Sequence, residues 1–397
     1  MNLLGLTKGS FIQLITEMGF PAWRGDQLWN WIYKNDVVSF EQMSNLPAAM
    51  RERLAAEHSI SVPEVVRHEV SADGTEKFLL ALERDVSGGA ENARGDALDE
   101  RLGDAPVDTP ESAQCYSPND APNAERNDNP PNALTVEMVI IPDGERNTLC
   151  ISSQIGCCVR CAFCHTGTQQ FERNLHAHEI VGQVFVARKA LSDCGALNRK
   201  RLLTNIVMMG MGEPLHNYAN VSAALQILMD PSGFAFSKRR VTLSTSGVVP
   251  LMKKCGDELG VNLAVSLHAP NDAIRSKLVP LNTQYGVKQL IDACMEYPNV
   301  NEARRITFEY VMLKGINDSD ATAYELAELI SGIHCKVNLI PWNPWPGAHF
   351  EASSSEQIGR FAKILGRNGI TVIVRTNRGR DISAACGQLK SAADTVY

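Results

Sequence analysis

Leu149-Cys150-Ile151-Ser152-Ser153-Gln154-Ile155-Gly156-Cys157-Cys158-Val159-Arg160-Cys161-Ala162-Phe163-Cys164 carries a short apolar run, residues 149–153, directly into four thiols within eight residues. That run is the first of a series. Further strand candidates lie at 205–209, 240–244, 263–267, 306–311 and 336–340, separated by helix-like stretches such as 179–191, 221–229, 287–295 and 324–330. Six strand-then-helix repeats predict an α/β protein with a parallel sheet, either doubly wound or an incomplete β/α barrel. A last strand, 371–375, follows a helix near 361–365. Catalytic groups in such folds sit where strands end. Gly210-Met211-Gly212-Glu213-Pro214, Ser244-Thr245-Ser246-Gly247, Ser266-Leu267-His268 and Pro341-Trp342-Asn343-Pro344 all fall at such ends.

The chain has 397 residues, 44% of them hydrophobic and 21% charged, which excludes a collagen-like or wholly disordered protein. Residues 1–8 show no basic head before a long apolar core, so no secretory signal is expected. No apolar run approaches the ~18 residues that span a bilayer. A soluble cytoplasmic protein is expected, without membrane contact. Eleven cysteines is a high count for such a chain. Clustered cysteines then read as metal or redox chemistry rather than disulfide scaffolding.

Cys157, Cys161 and Cys164 form Cx3CxxC. Three thiolates on a four-iron cubane leave one iron open to chelate a substrate, whereas four would close the cluster. A structural zinc site is the rival, with Cys158 or His165 as fourth ligand. The register is open too, because Cys158, Cys161 and Cys164 give CxxCxxC. Local spacing does not choose between these.

Before the cysteines, residues 1–82 read as a small helical module ending in strands. Residues 11–15 and 28–33 have helical spacing, Pro47 opens a helix through Leu54, and 77–82 reads as a strand. Trp23, Trp29 and Trp31 could stack on bases, but core packing is the expectation. Residues 83–132 hold twelve Asp or Glu against four Arg, a net of −8, with six Pro and only four Val, Leu or Ile. Such a stretch cannot bury enough apolar surface to offset ordering and is expected to be disordered. The strand 134–141 resumes directly after it, so the expected arrangement is a hairpin with a greatly expanded tip. The insert also masks the charge balance: −7 overall becomes +1 without it. Local basic patches at 238–240 and 378–380 keep RNA binding open.

Cx3CxxC after the first strand of a six-fold β/α pattern resembles the radical S-adenosylmethionine (SAM) superfamily. That resemblance implies an incomplete (β/α)6 barrel. Cys157, Cys161 and Cys164 become the ligands of a [4Fe-4S] cluster whose open iron binds S-adenosyl-L-methionine for cleavage to a 5′-deoxyadenosyl radical. Gly212 and Glu213 look like its second-strand motif, with Glu213 accepting from the ammonium of S-adenosylmethionine. Ser244, the strand end Ser266-Leu267-His268, and Asn343 look like ribose and adenine contacts.

A closer resemblance is to RlmN-type adenine-C2 RNA methyltransferases. It is carried by residues 149–157, 207–214, 241–250, 266–272, 338–344 and 381–389, and covers 1–82 and 133 to about 390. It implies an accessory RNA-binding-type domain at 1–82, the acidic insert at 83–132 and a radical SAM core at 133–397. The implied reaction methylates C2 of an adenine in the peptidyl transferase centre of 23S rRNA, and in certain tRNAs next to the anticodon. C2 lies between two ring nitrogens and is too electron-poor to attack a methylsulfonium, so its carbon has to arrive as a radical. By the same resemblance Cys386 takes a methyl group from a first S-adenosylmethionine, as a thiolate can. A second is cleaved, and the methylene radical formed on Cys386 adds to C2. The adduct then loses an electron, and Glu137 accepts the C2 proton. Cys150 then attacks the Cys386 sulfur, releasing product and leaving a transient disulfide. The implied partners are 23S rRNA, tRNA and a flavodoxin- or ferredoxin-type electron donor, with a monomeric enzyme. The alternatives are a C8-adenine rRNA methyltransferase, a radical enzyme acting on a small metabolite, and a non-catalytic zinc-binding RNA module.

Overall fold

The computed structural model describes residues 1–83, 134–144, 146–193 and 202–391. The disorder expected of 83–132 therefore falls, Glu83 apart, outside the described residues.

Three N-terminal helices, α1 (Lys8–Glu17), α2 (Ala22–Trp29) and α3 (Ala48–Glu57), build a small apolar cluster. Phe11 and Ile15 lie one turn apart on α1 and are fully buried. The helix expected at 28–33 is instead a junction. α2 ends at Trp29 and one π turn, Asn30–Lys34, carries the chain on, burying Ile32 and Tyr33. Trp29 packs as expected, edge-on to Phe11. Trp23 does not: it is exposed, with the Arg24 guanidinium 3.9 Å from its ring.

The remaining chain forms one ten-stranded sheet and a two-stranded ribbon. Four strands, β1 (Glu64–Val70), β2 (Glu76–Leu82), β3 (Leu134–Asp143) and β4 (Arg146–Cys150), pair antiparallel in sequence order. Leu82 faces Leu134 across the β2–β3 ladder, so the two ends of the acidic segment are neighbours. After β4, the ribbon strands β5 (Gln154–Ile155) and β6 (Arg173–Asn174) flank the cysteine loop.

From β4 onward every pairing in the main sheet is parallel, through β7 (Leu202–Met208), β8 (Val241–Thr245), β9 (Asn262–Ser266), β10 (Ile306–Met312), β11 (Cys335–Pro341) and β12 (Thr371–Val374). The connecting helices are α4 (Ala177–Asp193), α5 (Tyr218–Met229), α6 (Val249–Glu258), α7 (Asp272–Leu278), α8 (Val287–Met295), α9 (Asp320–Leu329) and α10 (Ser355–Arg367). This is the expected six-fold β/α repeat followed by the expected last strand, β12. Every residue of the interior strand β10 is buried, as in a parallel sheet covered by helices. The order β1-β2-β3-β4-β7-β8-β9-β10-β11-β12 leaves β1 and β12 as edges, so the sheet is open. Among the described residues no helix is long and apolar enough to cross a membrane.

Candidate active site

The cysteine loop is closed by contacts that its sequence makes possible. Ala162 N–H donates to Leu278 O and Cys164 N–H to Cys161 O. Gly167 seals the loop, because a Cβ there would stand 2.6 Å from Cys161 O. Phe163, between two of the cysteines, sets its ring edge-on to His268 at 4.5 Å. Its carbonyl accepts from the indoles of Trp342 and Trp345.

Within the loop the four thiols divide. Cys157, Cys161 and Cys164 are close enough for their charges to act on one another, and burial pushes all three thiols up, Cys157 to about 12. Cys158 meets His216 Nδ1 at 3.0 Å and the Gln154 amide at 3.9 Å. Cys157, Cys161 and Cys164 are thus thiols within mutual electrostatic reach, while Cys158 has a histidine partner. Among the described residues no three such side chains converge on one point, as a single metal ion would require. Each cysteine of a four-iron cluster binds a different iron, so the gathered trio suits that group.

Glu213 and its neighbours close the adjoining side. Gly212 has φ +96°, and a Cβ there would lie 2.5 Å from Gln154 Cβ, so only glycine lets the strand end pass this close. The buried Glu213 accepts from Leu215 N–H with Oε1 and from Ser246 N–H with Oε2, at 2.6 Å. Ser244 on β8 and Ser266 at the end of β9 are half-buried. Leu267 is fully buried and donates its N–H to Glu309 O. His268 holds φ +58° and accepts from Val311 N–H through Nδ1. Desolvation, then the Arg275 charge, lowers its pKa to about 3, so the imidazole is neutral. Asn343 is buried and donates to Cys386 O, while its own Oδ1 has no partner among the described residues. A buried, unpaired carbonyl oxygen beside the thiols awaits a donor from a ligand. The residues present thus fit a cluster and a polar, cationic cofactor.

The remote cysteines also come within electrostatic reach of each other. Cys150 ends β4, is buried, and has its thiol pushed up to about 12 by burial and then by Cys386. Cys386 is open to water, yet protein around its sulfur, with Glu309 and Cys164 behind it, holds the thiol above the ordinary cysteine range. All nine described cysteines are free thiols, so no disulfide joins the pair here. The segment bearing Cys386 is laced from three sides. His165 N–H donates to Gly387 O, Thr166 Oγ1 to Leu389 O, and Gln388 Nε2 to Pro344 O. Lys390 N–H donates to Glu137 Oε2 at 2.9 Å. Upstream, Asp381 accepts from Ser71 Oγ and Ala72 N–H in the β1–β2 turn. Glu137 is therefore not a solvent-facing strand residue: it is 1% exposed, and burial raises its pKa against the pull of Lys77.

Two parts of the chain match described families: residues 1–60 the ribosomal RNA large subunit methyltransferase N-terminal domain, and residues 151–327 the radical SAM superfamily. The chain is 46% identical to the dual-specificity RNA methyltransferase RlmN of Rhodospirillum rubrum, across 98% of this chain and 80% of that protein. It is 48% identical to the RlmN of Rhizorhabdus wittichii, across 99% of this chain and 88% of that protein. The chain belongs to the RlmN family. A crystal structure of a radical SAM methyltransferase from Sphaerobacter thermophilus superposes with a TM-score of 0.80 at 39% identity, covering 98% of this chain and 99% of that one.

Against the RlmN-type expectations, the structure adds residues that sequence reading passed over. Arg275 on α7 is buried and donates to the carbonyls of Ser246, Ser266 and Leu267, drawing the ends of β8 and β9 together. Burial lowers its pKa to about 10, against the pull of Cys161. Glu309 on β10 accepts from Asn338 Nδ2, its register partner on β11, and acts electrostatically on Cys386. Lys77 on β2 lies 3.3 Å from Glu137. A charge interrupting an apolar strand was the available signal for Glu309 and Lys77. Nothing in the local sequence marks Arg275.

Proposed function

We propose that this chain is a radical SAM methyltransferase of RNA that places a methyl group on C2 of adenine, in 23S rRNA and in tRNA, through a methylated Cys386. The observation that carries the reading is that the Cys386 thiol, on an exposed residue, lies within electrostatic reach of both the buried Cys150 and Cys164 of the cysteine loop. A small-molecule radical enzyme or a zinc module has no work for that pair.

A [4Fe-4S] cluster and S-adenosylmethionine, when bound, supply a methyl group and the radical that activates it. Cys157, Cys161 and Cys164 would hold the cluster. Gly212, Glu213, Ser244, Ser266, Leu267, His268 and Asn343 would hold S-adenosylmethionine. Cys386 carries the methyl group as a thioether and, after addition to C2, is itself linked to RNA. Once the radical adduct has lost one electron, which a bound cluster could take up, Glu137 takes the C2 proton, and its raised pKa makes it the stronger base once ionised. Cys150 attacks the Cys386 sulfur and frees the product, passing through a disulfide that rereduction clears. A flavodoxin- or ferredoxin-type protein supplies electrons in the cytoplasm.

The test is anaerobic incubation with labelled S-adenosylmethionine, a reductant and 23S RNA lacking the modification. Mass spectrometry of the nucleosides is expected to give 2-methyladenosine. Methyl on C8 would move the chain to the related C8 enzymes. No labelled nucleoside, with a cluster present, would overturn the reading.

A further inference from the structure

Glu137 belongs to a row of charges. The cross-strand register puts Glu69 of β1 opposite Lys77 of β2, and Leu79, next on the same face of β2, opposite Glu137 of β3. Lys77 Nζ lies 3.3 Å from Glu137 Oε1 and 3.1 Å from Glu69 Oε2, and Arg67 Nε lies 3.4 Å from Glu69 Oε2. Exposure rises along the row: the side chains of Glu137 and Lys77 are 2% and 7% exposed, those of Glu69 and Arg67 33% and 44%. Burying an ammonium with a carboxylate is expensive, and a well-packed apolar residue would serve the sheet as well or better. Stability alone does not account for Lys77.

We propose that Lys77, held from the surface side by Glu69, is the positioning residue for the proton acceptor: its ammonium fixes the Oε1 edge of Glu137 and supplies the countercharge that keeps this buried carboxylate a base. This rests on the proton-acceptor reading of Glu137 given above. The groups facing Glu137 are Lys77 from β2, Arg67 and Glu69 from β1, and the Lys390 amide from the segment that carries Cys386. When the C2 proton moves, Glu137 becomes the neutral acid. Lys77 keeps its proton and its bond to Glu69, and no electron passes through the row. Without the ammonium, burial is opposed only by the Lys390 amide and the Arg67 charge, and the carboxylate titrates at higher pH.

The experiment follows RNA-linked protein, the species that survives denaturation and disappears on RNase treatment, in the reconstituted full chain across a pH series. Lys77→Met is expected to accumulate it, with decay about tenfold slower near neutral pH, the equivalent of a one-unit rise in the acid limb. Cluster content and Cys386 methylation are expected to be unchanged, and Lys77→Arg to restore the limb. Glu69→Gln, on the exposed side, is expected to shift it the same way by less. A wild-type limb in Lys77→Met, or a shift that Lys77→Arg shares in full, overturns the proposal. Should Lys77→Met not fold, an unshifted limb in Glu69→Gln overturns it alone. Glu137→Gln separates the two readings. No accumulation there refutes the proton-acceptor role itself; accumulation there with an unshifted Lys77→Met refutes only the role of Lys77.

Discussion

Cys158 and Cys157 are adjacent in sequence and opposite in surroundings. Cys158 is occupied by His216 and Gln154, and Cys157 by the other thiols. Cys158→Ala is therefore expected to keep its cluster, while Cys157→Ala, Cys161→Ala and Cys164→Ala lose it. Visible absorption and labile sulfide after anaerobic reconstitution decide this, and the reverse pattern for Cys157 and Cys158 would show that the register is wrong. Cys386 and Cys150 separate by order of events. Cys386→Ala is expected to accept no methyl label and form no link to RNA. Cys150→Ala is expected to load, add to C2 and stall as RNA-linked protein, and the double variant to form none. Normal turnover in Cys150→Ala would sink the assignment. His268 carries a pH signature. Its folded pKa of about 3 lies below the ordinary 6.5, because a buried ring that accepts from Val311 N–H has to stay neutral. The unfolded chain thus binds the extra proton between those values. Stability is whole above pH 6.5 and falls as pH drops toward 3, by on the order of a few kcal/mol. Denaturation midpoints measured against pH are expected to show a shallower acid slope in His268→Gln, and an unchanged slope would contradict it.

The β2–β3 hairpin is the element where the chain absorbs its insertion. Leu82 and Leu134 are already partners there, so the closing ladder does not depend on what lies between them. Replacing residues 86–130 with a short flexible bridge is expected to leave melting temperature and methyl transfer nearly unchanged, since loop closure varies only slowly with length. A large loss of either would mean that the segment packs against the body or recruits RNA. The opposite end of the same pair of strands is less tolerant. The β1–β2 turn receives Asp381 through Ser71 and Ala72, and Asp73 accepts from Gly379 N–H. Against desolvation, hydrogen bonds from Thr75, Gly379 and Ser71 hold the Asp73 carboxyl down to about 2.

Across the molecule, what was legible in the sequence is what period and spacing encode. Alternation of apolar strands with helical stretches gave the six-fold repeat, with β8 and β10 found within a residue at each end. β4 was placed about three residues late, since Ile151–Ser153 are as apolar or small as a strand requires yet leave the sheet to meet α4 and the Gly210 turn. β1 escaped because its pattern is exposed and charged, as edge strands are. The site was legible as motifs but not as a constellation. Arg275 and Lys77 act through partners far away in the chain, and only the folded register brings these together. One feature of that register bears on synthesis. Residues 379–391 are held by the β1–β2 turn, by Glu137 and by the cysteine loop, all of which leave the ribosome earlier. A growing chain can therefore present all three anchors before the segment bearing Cys386 has left the ribosome. Docking of that short segment onto them is the last step in building the site.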